Sequence, residues 1–65
     1  MNVTLNGDSR AVQDGTTIKS LLGELKLTPD KVAVELNRRL VRTDHYDTPL
    51  KDRDVVEIVT FVGGG

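Results

Sequence analysis

Thr16-Thr17-Ile18-Lys19-Ser20-Leu21-Leu22-Gly23-Glu24-Leu25, residues 16–25, is the stretch that decides the fold. Ile18, Leu21, Leu22 and Leu25 stand at i, i+3, i+4 and i+7, which places them on one stripe of a helix. The hydroxyls of Thr16 and Thr17, just ahead of the stripe, are helix N-cap groups. Gly23 costs ~1 kcal/mol relative to alanine inside a helix and reads as a tolerated, exposed glycine. Thr28-Pro29-Asp30 closes the segment, because proline cannot continue a helix.

Outward from this helix the pattern is that of strands. Val3 and Leu5 alternate with Asn2, Thr4 and Asn6, so one face of the first strand is buried. Asn6-Gly7 is a hairpin signal, since both residues tolerate positive φ. A second strand is predicted over Ser9–Gln13 with Val12 inward. After the helix, Val32–Asn37 reads as the third strand, where Glu35 marks the solvent side and sends Val32, Val34 and Leu36 inward. A tight turn at Asn37-Arg38-Arg39 leads to a short return strand around Leu40-Val41. Residues 42–54 are polar and irregular, with Leu50 as core anchor. The last strand, Val55–Val62, carries the longest β-branched run, and Glu57 sets its parity with Val56 and Ile58 inward.

The order β-β-α-β-β-β with one amphipathic helix predicts a two-layer α+β domain, the helix covering one face of a mixed sheet of about five strands. If the helix crosses over from the first hairpin, the first and last strands lie parallel at the centre of the sheet. That arrangement is the β-grasp, or ubiquitin-like, fold. The domain is expected over residues 1–62, with residues 63–65 as a flexible glycine tail.

Composition narrows the functional classes. A chain of 65 residues is one domain near the lower limit for folding without disulfides or metal. Its formal charge of -1 gives no reason to expect nucleic acid or an anionic membrane as partner. No apolar run approaches the ~20 residues that cross a bilayer, and Met1-Asn2-Val3-Thr4-Leu5 lacks a signal-peptide pattern. The absence of cysteine favours a reducing, cytoplasmic setting. One histidine, His45, and no thiol leave little with which to build a zinc site. An enzyme pocket of roughly 300–1,000 Å³ is hard to carve from so small a core, so the chain is not expected to be an enzyme.

Three features remain as candidates. Gly63-Gly64-Gly65 follow directly on the apolar last strand. As a glycine-rich end they could be merely frayed. As a functional tail they reach at most ~10 Å and can thread a narrow channel for want of side chains. On the residues alone both readings stand. Second, Val59 and Phe61 share the side of Glu57, away from the helix, beside the tail; they read as a partner-docking patch, against the ordinary reading of scattered exposed apolar residues. Third, Arg38, Arg39 and Arg42 cluster at the second hairpin, where solvated surface is the ordinary reading. His45 reads as a surface residue beside Tyr46, whose ring packs on the domain, and Asp52 and Asp54 as turn residues.

The whole chain resembles the ThiS family, small ubiquitin-like sulfur carriers of thiamin biosynthesis that end in Gly-Gly. The resemblance rests on Leu5-Asn6-Gly7, Asp14-Gly15-Thr16-Thr17-Ile18, Leu21-Leu22, Val32-Ala33-Val34-Glu35-Leu36-Asn37, Leu50, Asp54, Val56-Glu57-Ile58-Val59 and the glycine tail. It implies that the Gly65 carboxylate, tethered by Gly64 and Gly63, is adenylylated and converted to a thiocarboxylate. It further implies a ThiF-like adenylyltransferase that uses ATP, a persulfide donor from a cysteine desulfurase pathway, and a ThiG-like thiazole synthase as acceptor. The chain itself would bind no cofactor. A carrier for molybdopterin synthesis or another sulfur pathway is the neighbouring alternative, and a non-covalent β-grasp interaction module is the alternative of another class. The chain departs from the family pattern at Arg38 and Arg53, where many members carry glycine. Left-handed backbone costs a non-glycine residue roughly 1–2 kcal/mol, so other turn geometry is the expectation at both places.

Overall fold

The computed structural model describes residues 1–61. The predicted end of the last strand at Val62 and the tail Gly63, Gly64 and Gly65 lie outside the described residues. The strands are β1 (Asn2–Leu5), β2 (Asp8–Ala11), β3 (Val32–Leu36), β4 (Arg39–Val41) and β5 (Val55–Thr60), with the helix α1 (Ile18–Glu24) between β2 and β3. They form one mixed sheet in the order β2-β1-β5-β3-β4. β5 is central, parallel to β1 and antiparallel to β3. This is the β-grasp arrangement expected from the sequence.

α1 begins as its hydroxyls predict. Thr17 is the N-cap, its side chain accepting from the Ser20 amide at 3.0 Å while the Thr17 amide donates to Ser20 Oγ at 2.9 Å. This is a reciprocal capping box with serine in the usual Glu/Gln place. Ile18, Leu21 and Leu22 are fully buried against the sheet, and each such side chain stabilises the fold by about 1.5–3 kcal/mol. Gly23 is exposed and a Cβ there would meet nothing within 4 Å, in keeping with the tolerated-glycine reading.

The helix stops well before Pro29. Lys26 takes φ 60°, its amide donates to the Gly23 carbonyl, and the Leu27 amide donates back to the Leu22 carbonyl at 2.9 Å. These paired bonds form a Schellman closure built on lysine instead of glycine. Leu27, packed against the core, explains why the chain accepts that backbone. Pro29 starts a separate 3-10 turn, Pro29–Lys31, that leads into β3.

The opposing layer is supplied by Val3, Val32, Val34, Val56 and Ile58, all buried on the helix side of the sheet. Val12 lies one residue past β2 and is buried too. The irregular stretch between β4 and β5 is anchored at two points, Leu50 as expected and Tyr46, each 4% exposed. Its backbone is tied to the start of α1: the Lys19 amide donates to the Tyr46 carbonyl and the Leu50 amide to the Thr16 carbonyl.

Both hairpins turn through left-handed residues. Asn6 and Gly7 have φ 48° and 88°; Asn37 and Arg38 have φ 52° and 71°. Arg53, in the turn before β5, has φ 70°. The expectation of other geometry at Arg38 and Arg53 is therefore wrong. Two-residue hairpins need positive φ at both central positions to match strand twist, and the register Leu36↔Arg39 leaves no other loop length. At Arg53 the turn is held by the Arg53 amide donating to the Asn2 carbonyl and the Asp54 amide to the Lys51 carbonyl.

Candidate functional site

Alternation along β5 divides the strand between two environments. Val56 and Ile58 point into the core; Val55, Glu57, Val59 and Phe61 are exposed on the other face. Val59 is 61% and Phe61 56% exposed, so both side chains lie on the solvent side that Glu57's parity predicts. The cross-strand register extends it. Ala33 faces Val59, Glu35 faces Glu57, and Leu40 on β4 faces Glu35. Leu40, at 71%, is the most exposed large apolar side chain of the described residues.

The sequence reading missed Leu40. Its side is fixed only by pairing with Glu35, and a three-residue strand carries no alternation of its own. The outer face thus holds Val59 and Phe61 towards the glycine end, a pair of opposed carboxylates at Glu35 and Glu57, and Leu40 at the β4 edge. Like charges placed directly opposite oppose sheet formation by a small amount.

Two polar side chains hold β5 from the flanks, and the sequence marks both only as turn residues. Asn6 Nδ2 donates to the Ile58 carbonyl at 3.2 Å, and the Ile58 amide donates to Asn6 Oδ1 at 2.7 Å. Asn37 Nδ2 donates to Asp54 Oδ1 at 3.0 Å, and the Val55 amide donates to Asn37 Oδ1 at 2.9 Å. The available signal was an Asn at each hairpin turn, which suits left-handed backbone; the reach of the amide to a third strand is not encoded in the spacing.

The remaining candidates fall as expected. Asp52 Oδ1 accepts from the Asn2 amide and Asp54 Oδ2 from the Lys51 amide, so both act as turn residues. Arg38, Arg39 and Arg42 are exposed and form no ion pair among the described residues. His45 is exposed in a 3-10 turn, Thr43–His45. It borders an apolar depression of about 320 Å³ with Ile18, Leu36, Leu40, Val41 and Thr48. Tyr46 is buried beside it, and burial pushes its phenol above the ordinary tyrosine value. Among the described residues no group of three His, Cys, Asp or Glu could hold a metal ion. No helix there is long and apolar enough to cross a membrane.

The architecture defines a β-grasp domain whose central strand, β5, precedes Gly63-Gly64-Gly65 in the sequence. Residues 3–65 match the ThiS family, and the chain belongs to that family. It is 44% identical over 63 residues to the sulfur carrier protein ThiS of Bacillus subtilis strain 168, covering 94% of this chain and 96% of that one. The crystal structure of the thiamine biosynthesis protein ThiS from Geobacter metallireducens superposes with a TM-score of 0.82 at 36% identity, each chain covered in full. A thiazole synthase of Magnetococcus marinus is 41% identical over 66 residues, all of this chain but only 20% of that protein. The chain thus spans a fifth of that relative, which carries a region like it.

Proposed function

We propose that the chain is a sulfur carrier for thiazole formation in thiamin biosynthesis, with Gly65 as the loaded residue. The observation that carries the reading is the place of β5: it is the central strand of the sheet, it precedes Gly63-Gly64-Gly65 in the sequence, and its exposed side bears Glu57, Val59 and, just past its end, Phe61. Membership of the ThiS family supports it.

A carboxylate is a poor electrophile. A ThiF-like adenylyltransferase would let the Gly65 carboxylate attack the α-phosphorus of ATP, releasing pyrophosphate and leaving an acyl-adenylate. The terminal sulfur of a persulfide from a cysteine desulfurase pathway then displaces AMP. A thiol that cleaves the remaining S–S bond leaves the thiocarboxylate. The absence of cysteine suits this scheme, since no internal thiol competes for the activated carbonyl. Gly63 and Gly64 supply a tether narrow enough for a closed active site. Val59, Phe61 and Glu57 supply the docking surface.

A ThiG-like thiazole synthase is the proposed acceptor. The Magnetococcus marinus relative supports this choice, because joining a carrier-like region to a synthase raises its effective concentration there. Intact-protein mass spectrometry tests the reading after incubation with adenylyltransferase, ATP and a sulfur donor. One oxygen replaced by sulfur, mapped to Gly65, is the expected result. An unchanged mass in a system that loads an established carrier would overturn it.

A further inference from the structure

β1 covers β5 only at its beginning, with Thr4 beside Val55 and Leu5 beside Val56. The last backbone bond across this seam runs from the Asn6 amide to the Val56 carbonyl at 2.9 Å. The chain then turns away through Asn6 and Gly7. The next backbone groups of β5 on this side are the amide and carbonyl of Ile58. They cannot bond to β3, because the Asn37 amide donates to the Val55 carbonyl and the Phe61 amide to the Lys31 carbonyl. That pattern makes Val34↔Ile58 a non-hydrogen-bonded pair.

The Asn6 carboxamide meets both Ile58 groups, one as donor and one as acceptor. It does what a further peptide group of β1 would do, in a place the hairpin has vacated. Val59 and Phe61 come immediately after, and beyond Ile58 β5 is flanked by backbone only on the β3 side among the described residues.

We infer that Asn6 is a positioning residue for partner docking: its carboxamide holds Ile58 on the side that β1 has vacated and so fixes the course of β5 on which Val59 and Phe61 are presented. This rests on the reading of that face as the docking surface. Asn6 acts through Ile58 and has no part in the chemistry at Gly65. Its loss should weaken recognition by the activating enzyme and leave turnover at saturation intact.

The test is loading kinetics of the full chain with the adenylyltransferase, ATP and a sulfur donor, for Asn6→Gly, Asn6→Asp and Val12→Ala. Glycine keeps the left-handed turn and removes both side-chain bonds; aspartate keeps the acceptor and loses the donor. Val12→Ala is destabilised away from β5 and controls for stability. Circular dichroism sets an assay temperature at which every variant is folded. Asn6→Gly should raise the KM for the carrier roughly three- to tenfold with kcat unchanged. Asn6→Asp should fall between, and Val12→Ala should match the wild type. Amide exchange at Ile58 should quicken in Asn6→Gly while that at Val34 is unaltered. An unchanged KM for Asn6→Gly beside a wild type that loads would overturn this inference alone, as would an equal rise in Val12→Ala. If Asn6→Gly does not fold, Asn6→Asp against Val12→Ala decides by the same criterion. A wild-type chain that neither loads nor binds would overturn the reading of Gly65 and this inference with it.

Discussion

Asn37 and Asp54 join the second hairpin to the turn that launches β5, through a 3.0 Å bond from Asn37 Nδ2 to Asp54 Oδ1. The remaining polar atom of each side chain is also engaged: Asn37 Oδ1 accepts from the Val55 amide, and Asp54 Oδ2 from the Lys51 amide. Asn37→Gly preserves the left-handed backbone while deleting the amide, so it isolates these bonds. Urea denaturation should show a loss of about 1–2 kcal/mol. Combined with Asp54→Ala, the loss should be less than the sum of the single losses, since both changes remove the same contact. Strict additivity would mean that the pair contributes nothing.

Arg38 and Arg53 hold φ values of 71° and 70° that glycine would adopt without strain. Each is exposed, and the one ion pair that either makes among the described residues, Arg53 Nε to Asp52 at 4.0 Å, is solvent-exposed and weak. Relief of the left-handed penalty competes with the larger chain entropy that glycine brings to the unfolded state. The penalty is the larger of the two, so Arg38→Gly and Arg53→Gly should each stabilise by up to about 1 kcal/mol. Thermal unfolding would register this as a rise of roughly 4–8 °C per kcal/mol. A fall in Tm for both would show that the arginine side chains hold the turns in some other way.

Tyr46 gives the stability an alkaline limit. Burial raises its phenol pKa, so the folded state retains the proton at a pH where the unfolded chain releases it. The unfolded state then binds fewer protons, and stability declines as pH rises through the ordinary tyrosine value near 10. Among the described residues no hydrogen bond is made by the Tyr46 hydroxyl, so Tyr46→Phe should be within about 0.5 kcal/mol of wild type at neutral pH. Denaturation series at pH 8 to pH 11 should be flatter for this variant. Parallel curves would place the alkaline loss elsewhere.

These residues also show what the sequence carries and what it hides. The stripe Ile18, Leu21, Leu22 and Leu25 and the parity set by Glu35 and Glu57 are local signals, and they were enough for the helix, the buried faces and the β-grasp order. The end of α1 was read from Pro29, the stronger sequence mark, whereas the chain closes at Lys26 because Leu27 has a place against the core. Arg38 and Arg53 were expected to avoid left-handed backbone, an intrinsic cost that hairpin register and long-range backbone bonds override. For the site, Glu57, Val59 and Phe61 follow from alternation in one strand. Leu40, Asn6 and Asn37 do not, because each depends on a contact between segments distant in sequence.

The outer face and the glycine end should fail in different ways when altered. Val59 and Phe61 are more than half exposed, and among the described residues the buried set lies within residues 3–58. Val59→Ala with Phe61→Ala should therefore change stability by no more than about 1 kcal/mol, each position lying within the usual surface range. If this face is the docking surface, the double variant should load with a KM raised at least about tenfold, as for loss of an apolar anchor pair, and with kcat retained. Gly64→Val changes no residue of that face but puts a β-branched side chain on the proposed tether. It should bind nearly as well as wild type yet lose kcat, because the Gly65 carboxylate no longer reaches ATP. Single-turnover loading followed by mass spectrometry separates the two effects. A Gly64→Val chain that loads at the wild-type rate would exclude a narrow channel, and a double variant with wild-type KM would move the docking surface off β5.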